Sequence, residues 1–419
     1  MFDVLIVGAG PAGAIAALVL ARAGARVRLV DRASFPRDKL CGDTVNPGAL
    51  ARLERLGVAG EVVARGLRVD GMVVTGEGGV AVDGRYPAGV HGRAIVRREL
   101  DWLLVEAAMA AGCQFEPGIH VRGAAIVEEK SGRAVRGVRV SARDGEAHID
   151  APITIAADGR RSTIGFGLGF ARHPARPRRW AVGAYYDNFK TGVGHPSDPR
   201  AGDAGVGHVS DPRDRVTGVG GVSDPTREAG TLGEMHVRRG RYIGVAPIPG
   251  GLTNVCLVRP SRPGDAELRD PAALLARELQ RDPLLCDRAA DARLVTAPVV
   301  LGPLAVDVDQ DAAIDGLLVA GDAAGFIDPM TGDGLRFAVR GGELAAAAAL
   351  RALAHGWRGV HAQLAAERRA EFSGKWRFNR ALRALVASPR AVGAAAVGAR
   401  VAPGVLARVI AHAGDCHVR

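Results

Sequence analysis

Three glycines and one acidic residue near the start of the chain have the spacing of a dinucleotide-binding site. Gly8, Gly10 and Gly13 form a G-x-G-x-x-G motif, and Asp31 follows 18 residues after the last glycine. In such motifs the first glycine permits a tight turn, the second lets the backbone approach a pyrophosphate, and the third lets helix and strand pack closely. Asp31 would then accept hydrogen bonds from an adenosine ribose, and we assign the neighbouring Arg32 to the same nucleotide site.

The elements that must position these residues are also predicted by the sequence. Val4–Val7 is an apolar run typical of a strand buried on both faces, and residues 14–23 have helical composition and end at Gly24. Val27–Val30 predicts a second strand that ends at Asp31. The phosphates of the ligand would lie at the helix N-terminus, where unpaired N–H groups favour negative charge. This unit does not separate NAD from FAD, because both share the ADP half.

Two acidic residues beside glycines, far along the chain, favour FAD. Asp158 and Gly159 follow one predicted strand, and Gly321 and Asp322 follow another. In open α/β sheets, ligands bind outside the carboxyl ends of the strands, which is where both pairs fall. Asp322 is placed to bind a polyol such as ribitol.

A glycine turn after Asp322 favours a flavin ring in the same site. Gly332, Gly334 and Leu335 immediately precede a helix predicted over residues 336–350. The backbone N–H groups at this helix start could face the pyrimidine edge of a flavin. Reduction leaves negative charge at that edge, and a helix N-terminus stabilises it.

These motifs together resemble the flavoprotein superfamily of geranylgeranyl reductases, group A aromatic-ring hydroxylases and flavin-dependent halogenases. Residues 35–43 resemble the P-R-x-K-x-C-G segment of the reductase branch, and residues 97–101 are similar to the R-x-x-x-D segment of the superfamily. The resemblance covers most of the chain and implies FAD as the cofactor. It implies FAD contacts at Gly8, Gly10, Gly13, Asp31, Arg97, Asp158, Gly321, Asp322, Gly332 and Gly334.

Cys41 is the side chain for which the resemblance implies a catalytic role. It would lie on a loop facing the isoalloxazine, with Arg37 and Lys39 nearby to favour a thiolate or an anionic substrate. A small buried packing residue is the alternative for a free cysteine. The sequence contains no Ser-His-Asp order and no metal-ligand spacing, so we expect no metal and expect the flavin to carry the chemistry.

The middle of the chain resembles the substrate domain of polyprenyl reductases, whose motif is Y-x-W-x-F-P. Tyr242 and Pro247 match this motif, whereas Gly244 and Ala246 replace its two aromatic residues. We assign Tyr242, Gly244 and Pro247 to the substrate site and expect an enlarged or reshaped cavity wall. The W-x-W-x-I-P motif of halogenases is absent, so halogenation ranks below reduction.

The leading functional hypothesis is an FAD-dependent oxidoreductase, similar to geranylgeranyl reductases, that delivers hydride from reduced flavin to carbon-carbon double bonds of a small apolar substrate, with isoprenoids as the candidate class. One alternative is a monooxygenase that acts through a flavin C4a-hydroperoxide, and another is a non-catalytic flavin-binding interaction protein. No second G-x-G-x-x-G motif lies between a predicted strand and helix, so NAD(P)H is expected to dock only transiently as electron donor.

Composition limits the partners and the compartment. The 419 residues carry 55 basic and 45 acidic side chains, giving a net charge of +10, but only four are lysines and aromatics are 4%. Without charge runs or stacking residues, we expect no nucleic-acid partner. Five cysteines without a C-x-x-C pair and the lack of a signal peptide favour a cytoplasmic protein. The apolar tail, residues 391–413, predicts a packed helix or an interfacial helix in peripheral membrane contact, rather than a membrane span; the oligomeric state stays open.

The predicted fold class is α/β, with a doubly wound Rossmann-type FAD-binding domain, an inserted β-rich substrate domain and a helical C-terminal tail. A repeat with starts 13 residues apart occupies residues 191–226 and predicts a flexible insertion. The predicted boundaries are 1–70, 90–170 and 290–345 for the FAD-binding domain, 71–89 and 171–289 for the substrate domain, and 346–419 for the tail.

Overall fold

The computed structural model describes residues 2–77, 81–130, 132–142, 145–176, 178–192, 231–262, 264–309, 312–388, 391, 394, 398 and 403–416. The strands are β1 (Val4–Val7), β2 (Val27–Asp31), β3 (Thr44–Val45), β4 (Leu67–Thr75), β5 (Ala81–Arg85), β6 (Gly92–Ala94), β7 (Gln114–Pro117), β8 (Val121–Glu129), β9 (Gly132–Ala142), β10 (Gly145–Asp150), β11 (Ile153–Ala156), β12 (Ala171–Arg172), β13 (Arg179–Asp187), β14 (Thr231–Arg238), β15 (Arg241–Pro247), β16 (Thr253–Pro260), β17 (Arg293–Leu294), β18 (Val299–Leu301), β19 (Asp307–Val308) and β20 (Leu317–Val319). The helices are α1 (Pro11–Arg22), α2 (Pro47–Arg55), α3 (Gly60–Arg65), α4 (Arg97–Ala110), α5 (Thr163–Gly167), α6 (Pro271–Gln280), α7 (Gly334–His355), α8 (Val360–Ala387) and α9 (Pro403–Ala413), with 3₁₀ turns at Pro249–Gly251, Ala266–Arg269, Gly321–Ala324 and Pro329–Thr331.

A five-stranded parallel sheet, in the order β20-β11-β1-β2-β7, forms the centre of the FAD-binding part. Its middle strand β1 is buried on both faces, as the sequence predicts. Val4 and Ile6 pack against the helices α1, α4 and α7, whereas Leu5 and Val7 pack against the antiparallel sheet β10-β9-β8. The alternation of side chains along a strand therefore supplies two cores from one segment. The predicted Rossmann-type α/β fold class is confirmed.

A second, larger sheet forms the β-rich part, with its main path in the order β17-β13-β16-β15-β14-β4-β6-β3. β18 pairs with β13, and β5 pairs with β4. The domain boundary predicted at residue 70 falls inside β4. That strand spans Leu67–Thr75 and belongs as a whole to this sheet. The other predicted domain boundaries stay predictions. Residues 193–226 of the predicted repeat lie outside the described residues.

The helices of the C-terminal part begin with α7, which is longer than the helix predicted over 336–350. It packs against α1 at two small residues: a Cβ added to Gly342 would lie 2.4 Å from the carbonyl oxygen of Ala12. α8 packs on α7, and α9 packs on β5. Within the described ranges, none of the helices has the length and apolar character needed to cross a bilayer. Residues 392–393, 395–397 and 399–402 of the apolar tail predicted over 391–413 lie outside those ranges.

The contact between α1 and α7 predicts that Gly342→Ala destabilises the protein. The new methyl group would overlap the backbone of α1, and such overpacking costs about 1–3 kcal/mol in free energy of unfolding. Gly374→Ala is the matched control, because Gly374 lies in α8 with open space around its Cβ position. We expect this control to be neutral or to stabilise by up to about 1 kcal/mol. Urea denaturation measures both; equal stabilities would contradict the packing argument.

Candidate functional site

The glycine turn between β1 and α1 is closed on one side and open on the other. Gly8 has φ +100°, and a Cβ there would lie 2.4 Å from the carbonyl oxygen of Ala157. A Cβ on Gly13 would lie 1.8 Å from the Gly8 carbonyl oxygen. Gly10 differs, because the nearest atom to its Cβ position is Arg37 Nη2 at 3.5 Å. Gly8 and Gly13 therefore hold the turn together, while Gly10 leaves room at the cavity that it lines.

The start of α1 and the end of β2 offer groups that suit a dinucleotide. The first bond within α1 runs from the Ala14 amide to the Gly10 carbonyl, so the N–H groups before it are those of a free helix N-terminus. Asp31 accepts hydrogen bonds from the amides of Ala9 (2.8 Å) and Ala33 (2.9 Å), one on each carboxylate oxygen. Each oxygen keeps a lone pair for a ribose hydroxyl. Arg32 beside it is exposed. These residues fit the ADP half of FAD.

The ends of β11 and β20 supply a second set of lining groups. Gly159, Gly321 and Asp322 line the same cavity as Gly10. The carboxylate of Asp158 turns away from it and accepts a hydrogen bond from the Thr163 amide (2.7 Å) at the start of α5. Burial raises the pKa of Asp158 above its usual range, although hydrogen bonds oppose this shift. A direct contact of Asp158 with FAD therefore stays a prediction, since its side chain already serves α5.

The turn before α7 lies on the other side of this cavity. Gly332, Gly334 and Leu335 line it, and Gly332 has φ +68°, a left-handed conformation that favours glycine. The carboxylate of Asp333 is buried, and it accepts hydrogen bonds from Asn46 Nδ2 (3.3 Å) and Lys375 Nζ (3.4 Å). The backbone of the turn thus faces the cavity while its acidic side chain anchors it.

A buried ion cluster lies where the cavity meets α4. The carboxylate of Asp101 is fully buried and accepts two hydrogen bonds from Arg97 (2.7 and 2.8 Å). It also forms an ion pair with Arg37 at 3.0 Å. Cys41 lies close enough to Arg97 to interact with its charge. Burial works against the charge on Arg97, but Asp101 and Cys41 outweigh it and raise the pKa of Arg97. Arg97, Cys41 and Lys39 all line the cavity, which gives this end a positive potential beside a thiol.

Asp43 holds the loop of Cys41 and was not assigned a role from the sequence. Its carboxylate is completely buried and accepts hydrogen bonds from the Tyr185 hydroxyl (2.7 Å), Asn254 Nδ2 (2.5 Å) and the Arg97 amide (3.2 Å). Asn254 Nδ2 also donates to the Cys41 carbonyl at 2.6 Å. Burial raises the pKa of Asp43 to about 6, even though the hydrogen bonds lower it. The only sequence signal was its position two residues after Cys41.

The three predicted substrate residues do not share one position. Tyr242 and Gly244 line the main cavity, whereas Pro247 lines a separate cavity beside Thr231. The Tyr242 hydroxyl donates to the buried carboxylate of Asp328 at 2.6 Å, so it is already engaged. A Cβ on Gly244 would have its nearest neighbours at 3.9 and 4.0 Å, which leaves space where the related motif has tryptophan.

The main cavity measures about 330 Å³ and joins the glycine turn to an apolar wall. Helix α8 contributes Phe378 and Leu382, and the α9 region contributes Val409 and Ala413. In the described part of the chain, no group of three His, Cys, Asp or Glu side chains could hold a metal ion. The other apolar lining residues include Met72, Val74, Ala181, Met235, Val258, Leu301, Leu304, Phe326 and Met330.

Comparison with solved structures supports the fold. A triple mutant of the flavin-dependent brominase Bmp2 aligns with a TM-score of 0.77 at 17% identity, covering 99% of this chain and 95% of that one. The myxobacterial chondrochloren halogenase aligns with a TM-score of 0.73 at 20% identity, covering 90% and 81%. At these identities the similarity concerns the fold alone.

Comparison with protein sequences identifies the family. Residues 1–198 match the FAD binding domain family. Menaquinone reductase of Mycobacterium tuberculosis is 32% identical over 349 residues, which are 82% of this chain and 75% of that protein. Digeranylgeranylglycerophospholipid reductase 2 of Methanopyrus kandleri is 28% identical over 84% of this chain and 78% of that protein. The chain therefore belongs to the family of FAD-dependent oxidoreductases that includes these menaquinone and digeranylgeranylglycerophospholipid reductases.

Proposed function

We propose that this FAD-dependent oxidoreductase reduces carbon-carbon double bonds in the isoprenoid part of an apolar substrate. The observation that carries the proposal is the single cavity that runs from the nucleotide-type glycine turn, past Cys41 and Arg97, to a wall of apolar side chains. Two relatives named for menaquinone and for digeranylgeranyl lipid support an isoprenoid substrate class.

The groups we propose to hold FAD are backbone N–H groups and short acidic side chains. FAD supplies, when bound, an isoalloxazine ring that can take up and deliver a hydride. The helix N-terminus after Gly10 would receive the pyrophosphate, Asp31 the ribose and Asp322 the ribitol. NAD(P)H is the proposed electron donor, docking transiently. The proposed FAD contacts are Gly8, Gly10, Gly13, Asp31, Arg32, Arg97, Asp158, Gly159, Gly321, Asp322, Gly332, Gly334 and Leu335.

The substrate is proposed to lie along the apolar wall, where a long chain would be removed from water. Burial of apolar surface gives about 25 cal/mol per Å², so a chain needs no polar contacts to bind there. Gly244 widens this wall, since its missing side chain leaves open space. An unbranched or methyl-branched chain fits such a wall better than a polar ring does.

Saturation of a double bond requires a hydride on one carbon and a proton on the other. We propose Cys41 as the group that gives the proton, because Cys41 lines the cavity. The thiolate left behind would be stabilised by the positive charge of the nearby Arg97, and solvent would return the proton. Asp43 and Asn254 act as positioning residues. Asn254 Nδ2 donates to the Cys41 carbonyl and to the buried carboxylate of Asp43, which fixes the Cys41 loop.

Gly10→Val is expected to lower the affinity for FAD at least about tenfold, or about 1.4 kcal/mol. The position is open, so the branched side chain would fold into the space proposed for the pyrophosphate. Flavin absorbance per protein measures occupancy, and circular dichroism checks the fold. Gly374→Ala is the control for glycine replacement. Full FAD occupancy in correctly folded Gly10→Val would contradict the assignment.

Cys41→Ser is expected to lower turnover about 100-fold or more, because a serine hydroxyl is a much weaker acid. FAD content and flavin reduction by NADPH should stay unchanged. A polyprenyl quinone and a polyprenyl alcohol are the test substrates, and mass spectrometry follows the gain of two hydrogens per reduced bond. Cys286→Ser is the control, since that cysteine lies outside the cavity. Unchanged turnover would remove Cys41 from the mechanism, and a product heavier by one oxygen atom would favour hydroxylation instead.

Asp43→Asn is expected to change how stability depends on pH. Folded Asp43 keeps its proton up to about pH 6, whereas the unfolded chain releases it near the ordinary value of 3.8. Raising the pH through this window therefore lowers the stability of the wild type relative to Asp43→Asn, by up to about 3 kcal/mol. Urea denaturation from pH 4 to pH 7 measures the difference. Asp38→Asn, which replaces an exposed carboxyl on the same loop, should show the same pH dependence as the wild type. A stability difference between Asp43→Asn and the wild type that does not change from pH 4 to pH 7 would refute the expectation.

A further inference from the structure

A second cavity of about 360 Å³ lies between α8 and the edge strand of the parallel sheet, and the proposed function does not use it. The 3₁₀ turn Gly321–Ala324 separates the two cavities, because Gly321 and Asp322 line the first and Ala323 lines the second. The wall formed by α8 presents His361, Leu364 and Arg368, which the spacing of a helix brings to one face.

Arg368 is the unusual member of this wall. Its side chain is 6% exposed, and one guanidinium nitrogen, Nη2, donates to the carbonyl of Val319 on β20. Nε is buried without any partner. No carboxylate in the described residues forms an ion pair with it. Burial lowers the pKa of Arg368 to about 10, so the group still carries its charge at neutral pH.

The start of α8 is a further feature of the cavity that favours negative charge. Its lining includes Gly359, His361 and Ala362 at the N-terminus of α8, where the first amides of the helix have no carbonyl partner within the helix. Burial lowers the pKa of His361 on the same wall, so this ring is neutral, and its Nε2 lies 3.8 Å from a carboxylate oxygen of Asp315. Arg368 is therefore the cation of the cavity wall, and a buried cation beside a helix N-terminus forms an incomplete anion site.

We propose that this second cavity binds a small organic carboxylate. A guanidinium pairs with the two oxygens of a carboxylate through parallel hydrogen bonds, and Arg368 uses only one of its five N–H donors within the described residues. The rest of the cavity is lined largely by carbon atoms, from Phe170, Leu317, Ala323 and Leu364 among others, so the ligand carries an apolar body. Asp309 lines the exposed rim and disfavours a dianion such as phosphate.

The competing explanation is that Arg368 only covers the free edge of β20 through the Val319 carbonyl. The two roles differ in what removal of the charge does. A purely structural arginine would stabilise the free protein, so its loss would lower the thermal midpoint. If Arg368 instead serves to bind an anion, it is an unpaired buried charge in the free protein, so Arg368→Met would leave the thermal midpoint unchanged or raise it.

The test uses the full-length holoprotein with benzoate and with benzamide, its neutral analogue of the same shape. We expect benzoate to raise the thermal midpoint and to change the fluorescence of Trp357, which lines the cavity and stacks on His361 at 5.0 Å. Arg368→Met should weaken benzoate binding at least about tenfold. Arg369→Met is the matched control, because the neighbouring Arg369 is exposed, and it should bind benzoate as the wild type does.

A second variant keeps the proposal testable if Arg368→Met does not fold. Ala365→Phe would fill the cavity from α8 without changing any charge, and it should abolish the benzoate effect. Equal effects of benzoate and benzamide on the wild type would overturn the proposal. So would a benzoate effect that survives in folded Arg368→Met, or inorganic phosphate binding more tightly than benzoate.

Discussion

The close approach of α1 to its neighbours is the constraint on which the site depends. A single methyl group on Gly13 would overlap the Gly8 carbonyl, and one on Gly342 would overlap the Ala12 carbonyl. Helix α1 is thus fixed between the turn that precedes it and α7. Because α7 follows β20 after two 3₁₀ turns, the same contact brings the ends of β1, β11 and β20 and the start of α7 to one cleft. Glycines here determine geometry that no polar contact would reproduce.

The Cys41 loop connects the two sheets through buried polar groups. On one side, Asp101 forms ion pairs with both Arg97 and Arg37, which offset part of the cost of burying these guanidinium groups near a thiol. On the other side, Asp43 receives donors from Tyr185 and Asn254, which belong to strands of the larger sheet. Removing one partner of such a buried pair would leave the other charge buried and uncompensated, which is strongly destabilising. The loop therefore cannot move without breaking bonds to both parts of the protein.

The sequence predicts the parts of the fold that local patterns determine. The glycine turn, β1 and the strands before Gly159 and Asp322 follow from apolar runs that end in glycine and acid. The sequence does not predict Asp43 as an anchor, because its partner Asn254 lies 211 residues away and no local pattern marks the pairing. It also groups Pro247 with Tyr242, although the strand carries Pro247 beyond the cavity. Long-range pairing and the direction of side chains are set by tertiary packing.

The tail completes the cavity, which explains why an apolar site can exist so close to charged groups. Lys375 of α8 is buried and binds the carbonyls of His412 and Ala413, so its charge holds the end of α9. Arg336 pairs with Asp415 just beyond that helix. With α9 fixed in this way, Val409 and Ala413 cover one side of the apolar wall. Buried charged contacts beside the cavity thus secure the helices that line it, and an apolar chain in the cavity would be enclosed by them.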